Sequence, residues 1–260
     1  MIRLSINLNK IALIRNSREG DYPNLLKHAQ RCIEAGAQGI TVHPRPDQRH
    51  IRAQDIRPLS KLCAEHPHVE FNIEGNPFAP AVKSGRPEIE DYPGFIALIE
   101  QAQPEQCTLV PDTDQQLTSD HGFDLRQDSE KLQPAIRACQ SAGSRVSLFM
   151  DPDCEQIKRA AELGVECIEL YTGPFAAEYS KDSDGSALYN RYCEAAECAL
   201  REGLRVNAGH DLNLENLELF RQLPGLQEVS IGHAFTVDSL DMGLRHSVAA
   251  YLLALQSPEV

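Results

Sequence analysis

At 260 residues, 42% of them hydrophobic, the chain is long enough for one barrel-sized domain with a full core. Its formal net charge of −13 speaks against nucleic acid as a partner, because binding to phosphate backbones is built from Lys and Arg. No run approaches the roughly 18 apolar residues of a membrane span, and the polar start Met1-Ile2-Arg3-Leu4-Ser5 does not read as a signal peptide, so a soluble cytoplasmic protein with no membrane partner is expected.

In chain order, residues 2–8 alternate like a strand, followed by a turn that carries Asn9, Lys10, Arg15 and Arg18. Leu25, Leu26, Ala29, Cys32 and Ile33 have helical spacing over 23–35, and Gly36 is the stop. The β-branched strand Gly39–Val42 delivers His43, and Pro44 and Pro46 end it because proline cannot donate to a ladder. A helix over 53–65 precedes a strand over 69–73 that ends at Glu74-Gly75. A proline-bearing connection, 75–92, leads to a helix over 93–102 and a strand over 107–110 closed by Pro111. Helix 129–142, strand 145–150, helix 154–163 and strand 167–170 follow. A second long connection, 172–185, precedes helix 186–202 and strand 204–207. Helix 213–222, strand 228–231 and helix 237–255 complete the chain.

Eight strands, each followed by a helix, imply parallel pairing with right-handed crossovers. The spacing predicts an α/β fold, a (β/α)8 TIM barrel that forms a single catalytic domain over 1–260 with extra helices. No G-x-G-x-x-G follows a strand, so a dinucleotide-binding sheet lacks its fingerprint. The eight cysteines show no C-x-x-C pair and read as structural thiols without disulfides.

Barrel interiors are expected to be apolar, so polar groups gathered at the carboxyl ends of strands point to a site. Those ends supply Asn7, His43, Glu74, Thr118 in the loop after the fourth strand, Glu169, Asn207 with His210, and His233. His28, His66, His68, His121 and His246 read as structural. Residues 1–60 hold ten Lys+Arg against five Asp+Glu, a local excess of cations suited to an anion. The last two strands end in related words, Val206-Asn207-Ala208-Gly209-His210 and Val229-Ser230-Ile231-Gly232-His233. The loops after strands seven and eight are the usual phosphate cradle of this fold, and Thr236 or Asp238 is expected to cap the last helix.

Asn7-Leu8-Asn9-Lys10-Ile11-Ala12 with Arg15-Asn16-Ser17-Arg18, Gly39 to His50, Leu109-Val110-Pro111, and the two Gly-His words together resemble pyridoxine 5′-phosphate synthases of vitamin B6 biosynthesis. The likeness runs nearly the full length in order. It implies a barrel, assembled as a homo-octamer, that condenses 3-amino-2-oxopropyl phosphate with 1-deoxy-D-xylulose 5-phosphate. The products are pyridoxine 5′-phosphate, phosphate and water. It further implies acid–base roles for His43, Glu74 and His210, and a charge-stabilising role for Glu169. The amino-ketone phosphate would meet Asn7, Arg18, Asp211, Gly232 and His233. The xylulose phosphate would meet Asn9, Lys10, Arg45, His50 and Thr118. Family members carry Asp-His where this chain has Asn9-Lys10 and Gly where it has Asp211. The substrate brings its own amine, so neither a cofactor nor a metal is expected.

Two other readings use the same ring. His43, Glu74, His210 and His233 could hold a catalytic divalent metal, although no H-x-H or H-E-x-x-H spacing joins these four, or Lys10 could form a Schiff base in an aldolase-like barrel. A non-catalytic barrel that binds a sugar phosphate would leave Glu74 and Glu169 facing an anion without purpose.

Overall fold

The computed structural model describes residues 1–179 and 186–256. Among these the strands are β1 (Arg3–Asn7), β2 (Gly39–Val42), β3 (Glu70–Gly75), β4 (Gln106–Leu109), β5 (Arg145–Met150), β6 (Cys167–Tyr171), β7 (Arg205–Gly209) and β8 (Leu226–Ile231). Each pairs in parallel with the next, and β8 pairs with β1 to close the barrel. Parallel neighbours need long crossovers, and helices supply them. They are α1 (Asn9–Asn16), α2 (Leu25–Glu34), α3 (Ala53–Ala64), α4 (Phe95–Ala102), α5 (Leu125–Ser141), α6 (Cys154–Glu162), α7 (Gly173–Tyr179), α8 (Ser186–Arg201), α9 (Leu217–Phe220), α10 (His233–Met242) and α11 (Leu244–Ala254). None of the described helices is long and apolar enough to cross a membrane.

Local chemistry starts several helices where the sequence places them. Asn24 accepts from the Lys27 backbone N–H at 2.8 Å, and Asp153 accepts from the N–H groups of Glu155 and Gln156, so orphan donors of the first turn are satisfied. Along each strand one parity is apolar and buried: Leu4 and Ile6, Ile40 and Val42, Phe71 and Ile73, Leu148 and Met150. These pack beneath the helices and form the main core.

The other parity points into the barrel, and there the expected apolar interior is absent. Ser5 Oγ lies 2.7 Å from Thr41 Oγ1, Thr108 donates to Asn72 at 3.2 Å and to Glu169 at 3.3 Å, and Asn207 donates to Gln106 at 3.1 Å. Every one of these side chains is buried and bonded to another, which is the condition under which polar groups can replace a packed hydrocarbon layer. At the amino-terminal floor, Glu70 is gripped by Arg3 and Arg145. Glu228 stands just above it, and burial, helped by the charge of Glu70, pushes its carboxyl up to about 7.

Several local expectations are corrected. Residues 9–16 form a helix rather than a turn; α1 leaves Leu13 and Ile14 exposed, so it lacks the apolar stripe that would announce it. Half of the 172–185 connection is the helix α7, and the rest of it, 180–185, lies outside the described residues. The single helix expected over 237–255 begins at His233 and breaks at Gly243, whose φ of +80° is open to glycine and strained for other residues. Neither Thr236 nor Asp238 caps α10: the Thr236 hydroxyl donates to the Gly232 carbonyl at 2.8 Å, and Asp238 accepts from Tyr251 at 2.6 Å. Finally, Cys154 and Cys198 form a disulfide between α6 and α8, where free thiols were expected. Their Cα atoms are 5.7 Å apart, a separation that spacing along the chain does not reveal.

Candidate active site

The carboxyl ends of the strands surround a cavity of about 330 Å³. Asn7, Asn9, Lys10, His43, Arg45, His50, Glu74, Thr118, Glu169, His210, Asp211, Gly232 and His233 all line it. Two expected members do not. Arg18 is exposed beyond the end of α1 and is absent from the lining, and Asn207 sits lower in the barrel, bonded to Gln106.

One wall is built by β1 to β4. Asn9 has a structural task as well as a place in the lining: its Oδ1 accepts from the His43 backbone N–H at 2.9 Å and ties the start of α1 to the end of β2. Asn7 donates to Glu74 Oε2 at 3.3 Å. His43 stands between two carboxyl groups, with Nδ1 3.9 Å from Glu74 and Nε2 3.8 Å from Asp112. Both distances exceed a hydrogen bond. Burial, together with the charges of Arg45, His50 and Arg49, holds His43 well below the usual imidazole range, so it is neutral near pH 7. His50 accepts from the Ile51 N–H at 2.9 Å through Nδ1, and burial with Arg45 nearby lowers it to about 3. Glu74 is displaced the other way. Burial, and then the neighbouring charges of Glu169 and Asp112, hold its carboxyl well above the ordinary range. Burial, then Glu228, pushes Glu169 up to about 8. Both carboxyls can therefore carry a proton near neutrality.

The cations are arranged differently from the sequence expectation. Arg15 is buried and bonded to Asp55 at 2.6 and 2.9 Å and to the His50 carbonyl, so it holds the 48–50 loop and does not face the cavity. Arg45 lines the cavity, yet its guanidinium is bound to Asp112 and donates to the Thr113 carbonyl at 3.1 Å. Arg49 donates to the carbonyls of Gln116 (2.9 Å) and Asp114 (2.7 Å). The two arginines thus pin the loop after β4, and with it Thr118.

Sequence reasoning passed over Asp112, which binds Arg45, accepts from Ser119 at 2.7 Å and approaches His43. Its signal was present: it directly follows Pro111, the residue read as the end of the fourth strand, and carboxylates just past barrel strands are site candidates. Arg49, Ser119, Phe149 and Ser230 also line the cavity.

The other wall comes from β6 to β8. Gly209 is small for a reason particular to this site: a Cβ there would lie 2.2 Å from Glu169 Oε1. His210 projects from the turn that follows, with Nε2 2.8 Å from Thr118 Oγ1 and Nδ1 3.0 Å from Asp211 Oδ2. That bond holds the Asp211 carboxyl below its usual range. His233 opens the ten-residue helix α10, and no side chain caps its first turn. The positive end of a helix is thereby aimed at the cavity.

A closed barrel with proton-handling groups and an uncapped helix end at the carboxyl face is the layout of a (β/α)8 enzyme acting on an anionic small molecule. Among the described residues no group of three or more His, Cys, Asp or Glu is gathered to hold a metal.

Residues 4–257 match the family model described as "Pyridoxal phosphate biosynthesis protein PdxJ". A pyridoxine 5′-phosphate synthase of Xanthomonas axonopodis pv. citri (strain 306) is 52% identical over 259 residues, which cover 99% of this chain and 98% of that protein. One from Albidiferax ferrireducens is 46% identical, with 96% of each chain covered. The chain belongs to the PdxJ family. More distant solved barrels share the fold alone. A 4-hydroxy-2-oxoglutarate aldolase is 14% identical with a TM-score of 0.59, covering 98% of this chain and 94% of its own. A chain of the tryptophan synthase α2β2 complex of Pyrococcus furiosus is 12% identical with a TM-score of 0.60, covering 96% of this chain and 97% of its own.

Proposed function

We propose that this protein is a pyridoxine 5′-phosphate synthase that joins 3-amino-2-oxopropyl phosphate to 1-deoxy-D-xylulose 5-phosphate by acid–base catalysis. The observation that carries the reading is the convergence of His43, Glu74, Glu169 and His210 on one cavity, with the proton affinity of His43 lowered and those of the two glutamates raised. Joining an amine to a ketone and closing an aromatic ring needs repeated proton transfers, and the loss of water and phosphate needs acids. His43 is neutral and can take a proton. Glu74, whose carboxyl burial and neighbouring carboxylates hold well above the ordinary range, can hold a proton and give it. Glu169, protonated near neutrality, would release its proton to a neighbour as positive charge develops and then stabilise that charge as a carboxylate.

Two anchors suit two phosphates. All eight expected contacts line the one cavity: Gly232, His233, Asn7 and, through its backbone N–H, Asp211 would meet the amino-ketone phosphate, and Lys10, His50, Thr118 and Asn9 would meet the xylulose phosphate. Arg45 serves this second anchor by holding the loop after β4, because both of its terminal nitrogens already have partners there. Arg18 has no contact with the cavity in a single chain. Exposed Leu13 and Ile14 on α1 and Val237 and Leu240 on α10 support the self-association, to a homo-octamer, that belongs to the same reading, as does a cytoplasmic location.

The test is incubation of chelator-treated protein with both phosphorylated substrates while following pyridoxine 5′-phosphate absorbance. Product formation without added nicotinamide, flavin or metal is expected. No product, or product only after a divalent ion is restored, overturns the reading.

A further inference from the structure

The turn after β7 holds two consecutive non-glycine residues with positive φ, His210 at 84° and Asp211 at 60°. Left-handed backbone is costly for residues with a Cβ, so the surroundings must enforce it. Thr172 does so from just past the end of β6, donating its hydroxyl to the Gly209 carbonyl at 2.7 Å and to that of His210. Asn216 adds a bond from Nδ2 to the Asp211 carbonyl at 3.1 Å. In extended chain, neighbouring side chains point to opposite faces. Here the unusual backbone brings two neighbours together, so that Asp211 Oδ2 lies 3.0 Å from His210 Nδ1. The other ring nitrogen, Nε2, lies 2.8 Å from Thr118 Oγ1 at the cavity, and Tyr171 packs edge-on against the ring at 5.2 Å.

An ionised carboxylate only accepts hydrogen bonds, so Nδ1 must carry the proton. The lone pair of the neutral ring is then on Nε2, and the Thr118 hydroxyl donates to it until substrate arrives. We propose that Asp211 is a positioning residue: it locks His210 in the Nδ1–H form, aims Nε2 at the substrate, and stabilises the imidazolium that forms when Nε2 takes a proton. The proposal rests on the reading of His210 as an acid–base group. It gives the Asp211 carboxylate a task distinct from substrate binding, and the strained turn has a purpose in presenting both side chains to one another.

The experiment compares kcat and KM for wild type, Asp211→Ala, Asp211→Asn and His210→Ala, with 15N NMR of the histidine ring nitrogens. In wild type the His210 shifts should report a protonated Nδ1 and a bare Nε2. Asp211→Ala should lower kcat by about tenfold to a hundredfold, the scale for removing an imidazole's orienting partner. KM should change much less, and the NMR should show the tautomer preference lost. Asp211→Asn keeps the shape and an acceptor oxygen, so it should recover part of kcat and the Nδ1–H signal. The Asp211 side chain is half exposed, so the two Asp211 variants should melt close to wild type. A slow His210→Ala beside a wild-type Asp211→Ala overturns this inference alone, as does a slow Asp211→Ala with an unchanged tautomer. Wild-type kcat in His210→Ala overturns both this inference and the acid–base reading beneath it.

Discussion

His43 and His210 face one cavity and are controlled by different means. His43 is only 5% exposed, and the carboxyl groups beside it stay beyond hydrogen-bond distance. Its proton affinity is set by burial and by the arginines behind it. His210 is more open, at 19% side-chain exposure, and is held by a direct bond to a half-exposed aspartate. The strand-built wall therefore tunes chemistry by excluding water, which needs many residues. The turn-built wall does so by orientation, which needs one partner and a backbone bent to reach it. A change at the buried groups should cost stability as well as rate, whereas a change in the His210–Asp211 turn should cost rate alone.

The largest expected effect treats the walls alike. His43→Ala, Glu74→Gln and His210→Ala should each lower kcat by roughly 10²–10⁴, the usual scale for an acid–base group. Steady-state kinetics decide it, and a near-wild-type kcat in any one removes that residue from the mechanism.

The walls should then separate in stability. Asp112→Ala leaves Arg45 buried without its carboxylate, and breaking a buried pair on one side costs about 3–5 kcal/mol. Asp211→Ala should cost almost nothing. Urea melts of the two variants give the contrast, and equal losses would erase the distinction drawn between the walls.

The pH dependence of unfolding sharpens it further. Glu169 and Glu228 have folded affinities raised from 4.5 to about 8 and about 7, so the native state binds more protons than the unfolded chain in that window. Stability from these groups is greatest at low pH and is lost as pH rises toward 8. His28 and His50, lowered to about 4 and about 3, act in the opposite sense, but only below their usual 6.5. Stability should therefore fall between about pH 6.5 and about pH 8, and Glu169→Gln should flatten the fall. A rise across that interval in wild type would contradict the buried-carboxyl account.

The smallest effect is expected at Lys10. Lys10→Ala should raise KM for the xylulose phosphate by about tenfold with little change in kcat, as when mainly ground-state binding is lost. Borohydride reduction during turnover should leave no adduct on Lys10. A substrate-sized mass increment there would instead mark an aldolase-like Schiff base.

Strand order and most of the ring were legible because period-two alternation fixes strands and barrel topology then fixes which ends meet. What failed has physical causes. Periodicity tells that Ser5, Asn72 and Glu228 share a parity with the site residues, but the bonds that make a polar interior tolerable run between β4, β6, β7 and β8, far apart in sequence. Arg15 and Arg45 looked like free cations because Asp55 and Asp112, the partners that bind them, lie 40 and 67 residues away. The Asp211–His210 bond could have been suspected from adjacency, yet adjacency alone does not bring two side chains to one side. A left-handed turn does, and only coordinates reveal that.

The hydrogen-bonded barrel interior carries a consequence for how such a sequence can drift. Thr41 contacts both Ser5 and Asn72, Asn72 accepts from Thr108, and Thr108 reaches Glu169. An apolar replacement at one of these positions strands the partner that remains, at about 1–3 kcal/mol. Replacing two neighbours together removes both orphans. Substitutions here should be strongly non-additive in double-mutant cycles, and the path from this interior to a hydrocarbon one runs through paired steps. A barrel of this kind can exchange its surface residues one by one, but its lumen only in company.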